Sequence, residues 1–253
     1  MRILLVNDDG ILAPGLAALR DAVADLGEVA VIAPDSPQSA VGRALTLHGP
    51  IVCEPVHVGG QFWGIGVGGR PADCVKLAVR ELMAEMPDLV LSGINAGANV
   101  GVNVYYSGTV AAAAEGALLG IPSIAFSLET GQEIDFALAA KHCRGVLDGL
   151  LALPIGRGDL INVNIPLLKE GNPRGVKVVP QSTAAISESY HRQDEGQRMI
   201  FRMTDYYEHG PQHAETDVTA MGEGYITVTP LHSDMTNRTR LGQMTQFHWP
   251  KVT

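Results

Sequence analysis

The sequence predicts an α/β protein with a doubly wound, mostly parallel sheet and a C-terminal β-rich extension. From Arg2 to Ile165, short apolar runs alternate with segments of helical periodicity, and this alternation indicates parallel βαβ units. Hydrophobic residues make up 46% and charged residues 18% of the 253 residues, which is the composition of a folded globular chain. A chain of this length can build a core without disulfide or metal crosslinks.

Strands are predicted where apolar residues follow one another without interruption. The run after Arg2 continues to Val6 and is typical of a strand that is covered on both faces. The other strands expected in this part of the chain are Glu28–Ala33, Leu89–Leu91, Ser123–Ser127 and Leu160–Ile165.

Helices are predicted where apolar residues recur every three or four positions. Gly15–Leu26 has this spacing, and Gly27 ends it. A helix over Ala72–Met86 is expected to be capped near Asp73. The two remaining helices predicted are Thr109–Leu119 and Ile134–Leu151.

The character of the chain changes near residue 180. The remainder is polar and poor in helical patterns, and Met199–Met203 and Tyr225–Leu231 are strand-like. We therefore expect a catalytic domain over 1–180 and an extension over 181–253. Bare strand edges invite pairing with a second chain, so the extension is predicted to serve as an arm in a homo-oligomer. The alternative is that both strands fold back onto their own domain.

Charge and targeting patterns restrict the partners. With 18 basic and 27 acidic residues the net charge is −9, and nucleic-acid polymers and anionic membranes both require a basic surface. The most apolar long window, Val110–Leu128, is interrupted by Glu115, Gly120 and Pro122. A cytoplasmic protein without membrane attachment is expected.

The sharpest motif is N-D-D-G at 7–10, directly after the first strand. Ligands of open α/β sheets bind at the carboxyl ends of strands. Two adjacent carboxylates repel each other unless a cation lies between them, and oxygen ligands suit Mg²⁺ or Mn²⁺. The competing interpretation is that Asp8 only caps a turn and Asp9 is solvated.

Three further loops are expected at the same edge of the sheet. Residues 34–42 supply the side chains of Asp35, Ser36 and Ser39, and 92–101 supply Asn95 and Asn99 between glycines. The segment 106–116 opens an Ala-rich helix with hydroxyl residues, and the free N–H groups of a helix start can bind a phosphate. Each loop alone is also explained as an ordinary turn or cap, but together they predict a cation site beside an anion site.

Other kinds of catalytic site are not supported. The glycine spacing is not G-x-G-x-x-G, and no P-loop lysine follows it. No H-E-x-x-H zinc motif and no G-x-S-x-G nucleophile elbow occurs.

The ordered set of motifs resembles the SurE (survival protein E) family of metal-dependent nucleotidases. The resemblance rests on N-D-D-G, A-P-D-S-P-Q-S-A-V-G, L-V-L-S-G-I-N-A-G-A-N-V-G, Y-S-G-T-V-A-A-A and N-V-N-I-P, and it runs to about residue 240. It implies a Rossmann-like fold, one divalent cation per subunit and a dimer or tetramer with an exchanged C-terminal segment. One departure is Arg70, where the family pattern leads us to expect Thr.

Carried over by motif, the resemblance implies a set of site residues. The metal ligands are Asp8, Asp9, Ser39 and Asn95, and the substrate contacts are Asn95, Asn99, Ser107, Gly108 and Thr109. Asp8, Asp9, Asn99 and Ser107 are the residues expected to take part in catalysis.

The expected reaction is hydrolysis of nucleoside 5′-monophosphates, together with 3′-monophosphates and short polyphosphate. Asp9 is the candidate for orienting or deprotonating the attacking water. Two alternatives are an aspartyl-phosphate phosphatase with Asp8 as the nucleophile and a nucleotide-sensing module without turnover. The adjacent acids of N-D-D-G differ from the D-x-D spacing of the first alternative.

Overall fold

The computed structural model describes residues 1–131, 133–168, 173–184, 186–204, 208–209 and 215–250. The strands are β1 (Arg2–Val6), β2 (Glu28–Pro34), β3 (Cys53–Val58), β4 (Gln61–Val67), β5 (Leu89–Ala96), β6 (Ser123–Leu128), β7 (Leu160–Ile165), β8 (Val176–Val178), β9 (Ile186–Ser187), β10 (Tyr190–Glu195), β11 (Arg198–Met203), β12 (Glu208–His209) and β13 (Ile226–Leu231). The α-helices are α1 (Pro14–Val23), α2 (Pro71–Leu77), α3 (Gly108–Leu118), α4 (Phe136–Leu151), α5 (Asp217–Gly222) and α6 (Arg238–Thr245).

Within the described residues, nine strands form one sheet in the order β3-β4-β2-β1-β5-β6-β7-β13-β8. Across the sheet from β4 through β2, β1, β5 and β6 to β7, each strand is parallel to its neighbour. β3 pairs antiparallel with β4, and β13 pairs antiparallel with β7. After β1 the chain builds the sheet first towards β2 and later, from β5 onward, in the opposite direction. The order therefore reverses between β1 and β5, which is the doubly wound arrangement.

Helices cover both faces of the sheet because its central strands are apolar on both sides. In β1, Ile3 and Leu5 pack with α1 and α4, whereas Leu4 and Val6 pack with α2 and α3. All four side chains are fully buried. Burial of this kind contributes about 1.5–3 kcal/mol for each large aliphatic side chain, and it fixes the carboxyl end of β1 between two helical layers.

The predicted α/β fold is confirmed, and the buried elements lie close to their expected bounds. β1 and β7 coincide with their predictions, and α3 is displaced by one residue. The second helix is shorter than expected, because α2 ends at Leu77 and the wider π-type turn Ala78–Leu82 follows. The strand expected at Leu89–Leu91 continues to Ala96. The hairpin of β3 and β4 was not predicted.

The tail differs from the sequence expectation in two ways. It contains the helices α5 and α6, although helical patterns were not expected there. The expectation that both Met199–Met203 and Tyr225–Leu231 belong to the arm is wrong for the second segment, because β13 lies in the main sheet between β7 and β8. Ile226 and Val228 are buried there, so this part of the tail is a strand of the main sheet and does not protrude from it. Residues 205–207 and 210–214 lie outside the described residues.

β11 pairs instead with β10 as a separate, exposed hairpin. Within the part of the chain that the structure describes, no helix combines the length and apolar character needed to span a bilayer.

Candidate metal and phosphate site

The candidate site lies at the carboxyl ends of β1, β2 and β5, where the strand order reverses. A cleft of about 180 Å³ opens at this edge. It is lined by Asp8, Asp9, Ser39, Ala40, Asn95, Ala96, Gly97, Ala98, Asn99, Asn103, Tyr106 and Ser107. Three loops that are separate in the sequence, together with the start of α3, therefore meet in one cavity, as the fold prediction required.

A tight turn after β1 presents the two carboxylates. The Asn7 amide donates to the Gly10 carbonyl at 2.9 Å, and the Gly10 N–H donates to Asn7 Oδ1 at 3.2 Å. The Gln38 N–H donates to the Asp8 carbonyl at 2.7 Å. These bonds hold the turn without using the carboxylates of Asp8 and Asp9, which leaves both for another purpose.

Asp8 is fixed against the first turn of α3. Its Oδ1 accepts a hydrogen bond from the Thr109 hydroxyl at 2.5 Å, and its side chain is 7% exposed. A Cβ atom on Gly108 would lie 2.7 Å from the Asp8 Cβ and 2.8 Å from its Oδ2. Only glycine permits the helix to approach Asp8 this closely.

The electrostatics of the pair favour a cation. The pKa of Asp8 is raised to about 6. Burial is the largest cause, the Thr109 hydrogen bond lowers the pKa, and the neighbouring Asp9 charge raises it. Burial also raises the pKa of Asp9 above its usual range, against a hydrogen bond from the Ala96 N–H at 3.3 Å. Two partly desolvated carboxylates on adjacent residues are stabilised in the charged form by a bound cation.

The donor set fits a hard divalent ion. Ser39 and Asn95 line the same cleft as Asp8 and Asp9, so a hydroxyl and an amide oxygen join two carboxylates. The Asn95 Nδ2 donates to the Gly97 carbonyl at 2.6 Å, which leaves Oδ1 as the ligand atom. Over the described ranges, no cluster of three or more His, Cys, Asp or Glu residues occurs. An all-oxygen set of this kind suits Mg²⁺ or Mn²⁺.

The loop of residues 34–42 contributes less than expected. Ser39 and Ala40 line the cleft, but the Ser36 hydroxyl donates to Asp35 at 2.8 Å at an exposed position. Asp35 and Ser36 therefore form a surface turn outside the cleft.

The anion side is built on the N-terminus of α3. Ser107 is its N-cap, and its Oγ accepts from the Val110 N–H at 3.1 Å. Asn99 and Ser107 both line the cleft. The Thr109 side chain is fully buried and its hydroxyl is donated to Asp8. Its expected contact with the substrate stays a prediction and would involve its backbone N–H in the first turn of α3. Gly108 permits the close approach of α3 to Asp8, and its expected contact with the substrate stays a prediction.

A polar network that we did not predict holds Asn99. The Asn99 N–H donates to Asn164 Oδ1 at 2.7 Å, and the Asn99 amide donates to Ser127 Oγ at 2.8 Å. The amides of Asn162 and Asn164 both donate to the Asn99 carbonyl, at 2.7 and 3.2 Å. One sequence signal could have revealed this network. Asn162 and Asn164 lie two residues apart in the otherwise apolar strand β7, so their side chains share one face of the sheet.

Arg70 occupies a helix start at the side of the site. Its N–H donates to Asp73 Oδ2 at 2.9 Å, which caps α2, and its guanidinium donates to Gln38. Asp73 is thus the third helical residue and still caps the helix, as expected. Because Gln38 precedes Ser39, the Arg70 side chain supports the loop that lines the cleft.

These features define a class of protein. It is an α/β protein whose sheet reverses order beside an all-oxygen cation site, next to an anion site at a helix N-terminus. The family model described as Survival protein SurE matches residues 3–188, and the chain belongs to the SurE family.

Full-length relatives and a solved structure agree with this assignment. A protein named 5′-nucleotidase SurE from Rhodopirellula baltica is 46% identical, covering 96% of this chain and 97% of its own. One of the same name from Syntrophobacter fumaroxidans is 44% identical, covering 94% and 95%. The crystal structure of the Sure protein from Aquifex aeolicus has a TM-score of 0.84 and 40% identity, covering 97% of this chain and 98% of that one.

Proposed function

We propose that the chain is a divalent-metal-dependent 5′-nucleotidase, which hydrolyses nucleoside 5′-monophosphates to nucleoside and phosphate. The observation that carries this proposal is the common cleft of Asp8, Asp9, Ser39 and Asn95 with the capped start of α3. Relatives named 5′-nucleotidase SurE, at 40–46% identity over nearly the whole chain, support the substrate class.

One Mg²⁺ or Mn²⁺ per subunit would be held by Asp8, Asp9, Ser39 and Asn95. The bound cation supplies Lewis-acid polarisation of the phosphoryl group and neutralises its charge. Asp8 contributes a fixed charge, because Thr109 and the backbone at Gly108 hold its carboxylate in place. Asp9 is more exposed than Asp8, so its carboxylate can also contact the attacking water.

The chain's own residues then account for the remaining chemistry. Asp9 orients the attacking water and accepts its proton. Ser107, Asn99 and the N–H groups at the start of α3 lie where phosphoryl oxygens gain negative charge, and they stabilise that charge. Asn162, Asn164 and Ser127 keep Asn99 in position.

The direct experiment is phosphate release from AMP by the Mn²⁺-loaded protein, repeated after exhaustive chelation and after Mn²⁺ is added back. We expect release to stop with the chelator and return with the metal. Full turnover after chelation would contradict the metal-dependent mechanism. Nucleotide binding without any release would instead identify a sensing module, and a phosphorylated Asp8 isolated by rapid quenching would identify an aspartyl-phosphate phosphatase. A panel of 5′- and 3′-monophosphates and short polyphosphate then defines the substrate range.

We also propose a homodimer or tetramer that uses the C-terminal region, within the expected division into 1–180 and 181–253. The hairpin of β10 and β11 supports it. Met199, Phe201 and Met203 alternate along β11 and are 46–62% exposed. They form an apolar row on one face of the hairpin, beside Tyr190, Arg192 and Asp194 of β10. An isolated two-stranded hairpin is only marginally stable in water. The cytoplasmic location stays a prediction.

A further inference from the structure

The backbone of Gly101 is held by two side chains from the C-terminal part of the chain. Its N–H donates to Asp217 Oδ2 at 2.8 Å, and its carbonyl accepts from Gln181 Nε2 at 2.7 Å. Asp217 is fully buried, and its Oδ1 accepts the N–H groups of Ser182 and Val218 at 2.8 and 2.9 Å. Three backbone donors therefore fix the position of one buried carboxylate.

Gly101 begins the short helical turn Gly101–Tyr105, which leads into the anion side of the cleft. The Asn103 carbonyl in this turn accepts the N–H groups of Tyr106 and Ser107 at 3.0 and 3.1 Å. Asn103, Tyr106 and Ser107 all line the cleft. A movement of Gly101 is therefore transmitted through Asn103 to the N-cap of α3, which is the residue placed at the phosphate.

Among the described residues, no hydrogen bond joins the turn directly to the carboxylate of Asp8 or Asp9. Asp8 is held by Thr109, and Asp9 by the Ala96 N–H. Asn95 is tied to the carbonyl of Gly97. The contacts of Asp9 and Asn95 do not pass through Gly101. Asp8 is linked to the turn through α3, which carries Thr109 just after the N-cap, and the loop of Ser39 is linked to it where the Gly42 N–H donates to the Tyr106 carbonyl at 2.9 Å. The turn therefore supports the anion half of the cleft directly and the cation half only indirectly.

We infer that Asp217 is a positioning residue for phosphate binding: through Gly101 it holds the turn that places Ser107. This inference rests on the proposed function, since it takes the α3 side of the cleft to be the phosphate site. Asp217→Asn replaces one carboxylate oxygen by an amide NH₂, which must then face a backbone N–H donor. We expect the turn to shift, because two donors cannot pair with each other.

The experiment is calorimetric binding of inorganic phosphate and of Mn²⁺ to the full chain, with phosphate titrated into Mn²⁺-saturated protein. For Asp217→Asn we expect phosphate affinity to fall by about tenfold or more, since small misplacements of a site lower its performance by up to about 10². Mn²⁺ affinity should fall clearly less than phosphate affinity, since Asp9 and Asn95 have anchors that do not pass through Gly101. Gln181→Ala, which removes only one hydrogen bond, should show the same selective loss to a smaller degree.

Thr219→Ala is the matched control. Thr219 caps the same helix by accepting the Thr216 N–H at 2.7 Å, but it does not touch Gly101. If this variant lowers phosphate affinity as much as Asp217→Asn, loosening of α5 is the cause and the inference is overturned. It is also overturned if Asp217→Asn and Gln181→Ala bind phosphate like the wild type. If Asp217→Asn does not fold, Gln181→Ala against Thr219→Ala decides. The binding assay needs no turnover, so a protein that binds phosphate but releases none from AMP contradicts the proposed function alone.

Discussion

At the scale of single residues, the two carboxylates of the site differ in the groups that hold them. Asp8 is buried and held by Thr109, whereas within the described part of the chain the Asp9 carboxylate accepts a hydrogen bond from the Ala96 N–H alone. The motif N-D-D-G predicted a cation site, and the structure brings its expected ligands together. It did not reveal that Thr109 serves Asp8, because that contact joins positions 101 residues apart.

Substitution of the two acids should separate their roles. Asp8→Asn is expected to weaken Mn²⁺ binding strongly, because one of two charges that offset the desolvation of the ion is lost. Asp9→Asn should lower kcat by about 10²–10⁴ at saturating Mn²⁺, as expected for loss of a general base. Ser107→Ala should cost less, on the order of 10–10³, as for one donor to a developing oxyanion. Steady-state kinetics on the three variants tests this. Near-normal activity in both Asn variants would mean that the acids only stabilise a turn.

The raised pKa of Asp8 predicts how metal binding depends on pH. The carboxyl has a pKa of about 6 in the metal-free protein, and a cation must displace its proton. Between pH 7.5 and pH 5, Mn²⁺ affinity should therefore fall by about tenfold. Calorimetric titration at the two pH values measures this, and a pH-independent affinity would contradict it.

The same shift affects the stability of the metal-free protein. The folded pKa of about 6 lies above the ordinary value of 3.8, so the fold binds this proton more tightly than the unfolded chain does. The stabilisation is complete below pH 4 and is lost as the pH rises through 6, a change on the order of 3 kcal/mol. In the metal-free Asp8→Asn variant residue 8 cannot ionise, so this loss of stability at high pH does not occur. The Tm of Asp8→Asn minus the Tm of the wild type should thus be larger at pH 7.5 than at pH 5. An equal Tm difference at both pH values would contradict the raised pKa of Asp8.

At the scale of elements, the start of α3 lies directly against the end of β1. Strands such as β1 and β7 could be predicted because apolar residues on both faces leave a clear pattern. The hairpin of β3 and β4 was missed because most of β3 is exposed and carries little apolar signal. The network around Asn99 could not be predicted in detail, since Asn162 and Asn164 reach it from another strand.

Gly108→Ala should test the contact between α3 and β1. The new Cβ would lie within 3 Å of Asp8, so either the helix or the carboxylate must move. We expect a loss of activity on the order of 10² because the first turn carries the proposed phosphate contacts. Gly145→Ala is the matched control, because a Cβ there meets nothing within 4 Å and alanine favours a helix by up to about 1 kcal/mol. Equal activities of the two variants would contradict the close packing that we describe.

At the scale of the whole molecule, the tail has two different roles. β13 completes the main sheet, whereas β10 and β11 form an exposed hairpin. Composition predicted a change near residue 180, but it could not show which tail strand belongs to the sheet. Both candidate strands are similarly apolar, and only the partner β7 distinguishes them. Truncation before residue 226 would therefore remove β13 from the main sheet and leave the hairpin of β10 and β11 in the chain, so it does not test the arm.

Substitution on the hairpin face is the cleaner test of assembly. Met199→Glu with Phe201→Glu places two charges in the apolar row of β11 while leaving the main sheet intact. We expect the assembly to become smaller in light scattering at micromolar concentration, because burying unpaired charges at an interface is unfavourable. Leu153→Glu, an exposed apolar residue away from the tail, is the control. A wild type that is already monomeric would contradict the oligomer.

The placement of β13 has a consequence for how the chain is made. The strand begins about sixty residues after β7 ends, yet it must pair with β7. While the ribosome is still producing that stretch, the hydrogen-bonding edge of β7 has no partner from its own chain. Nascent chains with a bare, apolar edge are prone to associate with one another. Synthesis at about 5–20 residues per second leaves this edge open for several seconds, so a ribosome-associated chaperone has its greatest use in this interval.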